Sequence, residues 1–188
     1  TKERDVRIHP EPWHTANCLL DAGQRTATAS THQFRASLVF RAFALEAFLN
    51  WLGSQLLPHW NYLERLKPRE KLDLLNDLTL VRPDYGSRPW QIVKALFAFR
   101  NDLAHGKPES LKAESMEDLN EVLNRNLGQT IQTDWERFCT EENAVRARED
   151  VEKIADLLYQ NAEVKPDGPR GPFSFGFQTG CAVLKRSG

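Results

Sequence analysis

The sequence predicts an all-α protein. Three observations carry that reading. Apolar residues recur three and four apart between 31 and 57, a proline or capping residue stands where each such run begins, and Pro58 or Gly106 stands where one stops.

The first fourteen residues, with Pro10 and Pro12, read as an irregular lead-in, followed by a helix over Ala16–Ala29. Ser30-Thr31-His32-Gln33 fits a capping box, in which Ser30 and Gln33 satisfy each other's exposed backbone donors. A long helix from Thr31 to Leu57 follows, stopped by Pro58. Leu38, Ala42, Leu45, Leu49, Leu52 and Leu56 mark one apolar face, and Phe40, Ala44, Ala47 and Trp51 mark a second roughly opposite. A helix apolar on two sides is buried on two sides, either at the centre of a bundle or between a bundle and a partner.

Pro68 opens the next helix, with Leu72, Leu75 and Leu78 facing inward. Val81–Arg88, with Pro83, Asp84 and Gly86, is a loop. Pro89 starts a helix over Trp90–His105 with Ile92, Leu96, Phe99 and Leu103 as its inner stripe, closed by Gly106 as a left-handed cap and by Pro108. Ser115–Leu127 is helical and ends at Gly128. Thr133-x-x-Glu136 is a second capping box, opening a helical stretch to about Ala162 that is interrupted near Glu141–Asn143. Lys165–Pro172 is a Pro/Gly linker, and the alternation of Phe173, Phe175 and Phe177 predicts a short strand or hairpin docked on the bundle. The expected organisation is a helical domain over 1–164, followed by a linker and Phe-rich tail over 165–188.

At 188 residues, 40% hydrophobic and 27% charged, the chain fits one globular domain and not a disordered segment. The net charge of −1 conceals an asymmetry. Residues 61–112 hold ten Lys/Arg against seven Asp/Glu, whereas 113–163 hold five against thirteen. Cys18, Cys139 and Cys181 are widely spaced and form no C-x-x-C pair, against both a disulfide framework and a zinc knuckle. His9, His14, His32 and His59 lack metal-ligand spacing, so no metal and no cofactor is expected. Arg41, Glu46 and Asn50 interrupt the most apolar stretch, so no membrane association is expected. The first residues are charged and do not read as a secretory leader, and the expected location is cytoplasmic.

The most specific segment is Ala98-Phe99-Arg100-Asn101-Asp102-Leu103-Ala104-His105-Gly106-Lys107. Upstream lie the acidic, apolar-rich Ala44–Asn50 and the Lys/Leu-rich Glu70–Leu78. Together these resemble the HEPN (higher eukaryotes and prokaryotes nucleotide-binding) superfamily, whose motif is an Arg followed by four to six residues and a His. Arg4–His9, Arg7–His14 and Arg25–His32 match the bare spacing too. Only Arg100–His105 combines it with the adjacent Asn, an apolar helix and a Gly terminator.

The resemblance implies an HEPN-like helical bundle of about five helices, with its core over about 31–162. It implies a metal-independent endoribonuclease acting on RNA as a homodimer, in which each subunit contributes the Arg and the His to a shared cleft. Arg100, Asn101 and His105 are then the catalytic candidates, and Lys107, Asp102 and Glu46 the substrate-binding ones. The superfamily includes toxins and phage-defence components, so an antitoxin or other regulatory protein joins RNA and a second copy as an expected partner. It also includes non-catalytic modules that bind a nucleotide or a protein.

The chemistry suits these residue types. Transesterification of RNA needs a base for the 2′-hydroxyl, an acid for the leaving 5′-oxygen and positive charge on the phosphorane. Histidine moves protons near neutral pH, and arginine grips phosphate through paired hydrogen bonds. Helical positions five apart point about 140° away from each other, with about 7.5 Å between them along the axis. Arg100 and His105 therefore do not share a face, whereas Asn101 and His105 do, so Asn101 is placed to orient the imidazole. A purely structural reading of the same residues stands beside this one. A last-turn His complements the helix dipole, Gly106 is a common stop, and Arg100 can pair with Glu46 inside the bundle.

Overall fold

A computed structural model describes residues 8–26, 28, 30–106, 108, 132–162 and 171–173. Among these, all regular structure is helical: α1 Pro10–Arg25, α2 Ser30–Leu56, α3 Trp60–Leu63, α4 Pro68–Leu78, α5 Ile92–His105, α6 Asp134–Phe138 and α7 Glu141–Asn161. The expected helix over 115–127 and most of the Phe-rich tail lie outside the described residues.

The 27-residue α2 is the centre of the bundle. Its face of Leu38, Ala42, Leu45, Leu49 and Leu52 is fully buried, and it packs against α1, α3, α4, α5 and α7. The second stripe is buried at Ala44 but only half-buried at Phe40, Ala47 and Trp51. Gly53 permits one close approach: a Cβ there would lie 2.4 Å from the Trp60 ring, so α3 can rest on α2 only because that position lacks a side chain.

α1 begins six residues before its expected start. Pro10 is its first residue and Pro12 lies in the first turn, where backbone N–H groups have no intrahelical acceptor and proline costs no hydrogen bond. Trp13, Ala16 and Leu20 then face α2. The capping box expected at the start of α2 is not closed, since Gln33 Oε1 is buried without a hydrogen-bond partner. In α4 the inward set is Lys71, Leu72, Leu75 and Asn76, rotated away from Leu78, which is 44% exposed. α5 starts at Ile92, two residues later than expected, and Trp90 in the turn before it is buried beside Tyr85.

The second box forms as expected. The Thr133 N–H donates to Glu136 Oε2 at 2.8 Å, and the Glu136 N–H donates to Thr133 Oγ1 at 3.3 Å. The Thr133 N–H, and after it the Thr133 hydroxyl that donates to the same oxygen at 2.9 Å, hold the Glu136 carboxyl below its ordinary range. The interruption falls at Cys139 and Thr140, where Thr140 Oγ1 accepts from the Asn143 N–H and restarts the helix as α7. Burial pushes the Cys139 thiol up, which makes it a core group rather than a nucleophile.

Arg41 and Asp150 are among the charged groups deep in the core. Arg41, 1% exposed, lies 3.9 Å above the Trp13 ring and donates to Asn17 Oδ1 at 2.7 Å. Burial lowers its pKa to about 9, with Arg148 adding to the effect and Glu152 opposing it, so it keeps its charge at neutral pH. Asp150 on α7 accepts from Arg88 Nε at 2.8 Å, which ties the connection before α5 to α7.

The short described piece of the tail docks on α1. Phe173 stacks on Trp13 at 4.0 Å, and His9 Nε2 donates to the Pro172 carbonyl at 2.7 Å. Phe173→Ala should therefore lower unfolding free energy by about 1–3 kcal/mol in urea titrations, given the apolar area and ring stacking removed. An unchanged midpoint would show that the contact carries no stability.

Candidate functional site

α5 places the motif. Its inner side, Ile92, Val93, Leu96 and Phe99, is buried in the core shared with α2. At its C-terminal end Asn101, Asp102, Ala104 and His105 are all exposed. The Gly106 N–H donates to the Asp102 carbonyl at 2.9 Å, and Gly106 adopts φ 52° and ψ 39°. An added Cβ would meet nothing within 4 Å, so the demand for glycine here is one of backbone conformation, not of space.

Arg100 points the other way, into the bundle. It is half-buried, and its Nη2 donates to Glu46 Oε2 on α2 at 3.0 Å. Its Cζ lies 5.5 Å from the Phe97 ring centre and 6.0 Å from that of Phe43. The other Glu46 oxygen, Oε1, lies 3.5 Å from the Nζ of Lys71 on α4. Lys71 is 2% exposed. Three helices thus meet at one carboxylate and two cations, and the cluster carries a net charge of +1.

The structure therefore brings Arg100 and Glu46 together and separates both from His105. No hydrogen bond joins Asn101 to His105, so the expected orienting contact is not made in the single chain. Asp102 is exposed, and its backbone rather than its carboxylate caps the helix. Lys107 lies outside the described residues. Glu46, expected on the substrate side, is the counter-ion of Arg100. Lys71 was not singled out by sequence reasoning. Its spacing could have found it, since it lies four residues before the buried Leu75 and beside Leu72.

Around Arg100 the outer face of α2 stays apolar. Phe43 is 42% exposed, its ring meets that of Phe40 edge-on at 6.0 Å, and Ala36 and Ala47 flank the pair half-buried. No group of three metal-ligating side chains occurs among the described residues, and none of their helices is long and apolar enough to cross a membrane.

No family model, curated protein or solved structure matches the chain. The site's own geometry offers an exposed imidazole in the last turn of α5 and, five residues back, a guanidinium already engaged by one carboxylate.

Gly106→Ala should fray the last turn of α5, lowering stability by about 1 kcal/mol, because an L side chain strains the left-handed conformation. Gly106→Asn should cost less. Equal stability of all three proteins in thermal unfolding would contradict the conformational role of Gly106.

Proposed function

We propose that the chain is a metal-independent HEPN-type endoribonuclease that acts on RNA as a homodimer. The observation that carries this reading is the exposure of His105 and Asn101 at the end of α5, with Arg100 half-exposed one turn earlier. His105 of one copy removes the proton from the 2′-hydroxyl, whose oxygen attacks the phosphorus. The 5′-oxygen leaves and takes a proton from His105 of the second copy. Products are a 2′,3′-cyclic phosphate and a 5′-hydroxyl. Arg100 balances the charge that develops on the phosphorane.

A second copy answers the separation of Arg100 from His105 on one helix. The outer stripe of α2, Ala36, Phe40, Phe43 and Ala47, supplies an apolar surface of helical spacing for it. The family context suggests a toxin or phage-defence component held in check by an antitoxin or other regulatory protein. One observation favours the alternative, a non-catalytic module that binds a nucleotide or a protein: Arg100 already has an anionic partner at 3.0 Å.

Cleavage of a labelled mixed-sequence RNA in EDTA separates the two. The parent protein should cleave, and folded His105→Ala should be slower by about 10²–10⁴-fold. Cleavage by neither, or by both alike, leaves the binding module. Phe43→Glu should convert a dimer to a monomer in light scattering, and a monomeric parent would remove the shared-cleft arrangement.

A further inference from the structure

We infer that Lys71 is a positioning residue for Arg100: it holds the Glu46 carboxylate when Arg100 turns to an anionic ligand. This rests on the proposed phosphate-gripping role of Arg100, and no feature of the motif segment points to Lys71.

The two ion pairs of Glu46 are unequal in length. Charge-assisted N–H···O bonds between ions settle near 2.7–2.9 Å. Glu46 lies 3.0 Å from Arg100 but 3.5 Å from Lys71. The carboxylate therefore leans towards Arg100, and the Lys71 ammonium is served loosely. A lysine that is 2% exposed has little water to make up the difference. The stronger pairing that Lys71 lacks is the one it gains when Arg100 lets go.

Charge bookkeeping gives the same direction. A phosphate arriving at Arg100 meets Glu46 beside it, and two anions on one guanidinium repel. If Lys71 takes the carboxylate, a neutral Lys71–Glu46 pair remains and Arg100 offers its whole charge to the phosphate. Without Lys71, Glu46 has only Arg100 to pair with, and the ligand must displace it. The half-burial of Glu46 and Arg100 keeps water from screening these interactions fully. Small rotations of the Glu46 side chain suffice, since both cations already flank it.

The alternative is a staple, in which the three charges merely join α2, α4 and α5. The two differ in what happens when Glu46 is neutralised. Binding of a fluorescein-labelled single-stranded RNA in EDTA, followed by anisotropy, provides the test in the full chain. Lys71→Met should weaken binding about tenfold, the worth of one modest ion pair. Lys71→Met/Glu46→Gln should regain most of that loss, because the same net charge is restored and Arg100 is free. Glu46→Gln alone should bind at least as tightly as the parent, a result that does not depend on the folding of any Lys71 variant.

A staple predicts the reverse, with the double variant no better than Lys71→Met and Glu46→Gln weakened. Either of those results overturns the inference, as does Arg100-dependent binding that Lys71→Met leaves unchanged. Equal binding by the parent and Arg100→Ala, or none by the parent, removes the phosphate-gripping role itself, and this inference with it.

Discussion

Burial of one long helix organises everything else in the bundle. α2 presents Leu38, Ala42, Leu45, Leu49 and Leu52 to the interior, and α1, α3, α4, α5 and α7 all lean on it. Each fully buried leucine contributes roughly 1.5–3 kcal/mol of transfer free energy, so the stripe outweighs any single polar contact in the molecule. It also sets the site. Glu46 reaches Arg100 and Lys71 only because α4 and α5 are fixed against the same helix.

That arrangement forces charge into places where charge is costly. Arg41 and Lys71 lie almost wholly inside, and each has found a different remedy: an aromatic face and an amide for Arg41, a shared carboxylate for Lys71. Ion pairs of this kind add little net stability, yet breaking one partner out of such a pair is expensive. The polar groups around α2 therefore constrain the register of its neighbours more than they strengthen the fold.

Much of this was legible in the residues. The all-α class followed from three- and four-residue spacing, the end of α5 from Gly106 and Pro108, and the start of α6 from Thr133 and Glu136. What was missed has physical reasons. Pro10 and Pro12 look like helix breakers, but in a first turn they remove only hydrogen bonds that could not form. Ser30-x-x-Gln33 has the right letters for a box, yet its Gln33 carbonyl stays unpaired. Leu78 was expected inside and Lys71 was not singled out, because hydrophobicity alone cannot foresee that a half-buried carboxylate on another helix will receive a lysine. The motif Arg and His were visible as letters. That they face different surroundings followed from helical geometry, and Glu46 was already named as a partner for Arg100; that Lys71 shares the same carboxylate needed the packed structure.

The tail contact has a kinetic consequence. His9 and Pro172 are separated by 163 positions along the chain, so their hydrogen bond is a contact of very long range. Contacts of such separation reward the chain only after the intervening parts are in place. The Phe173 stack on Trp13 is thus expected to be among the last to form during folding.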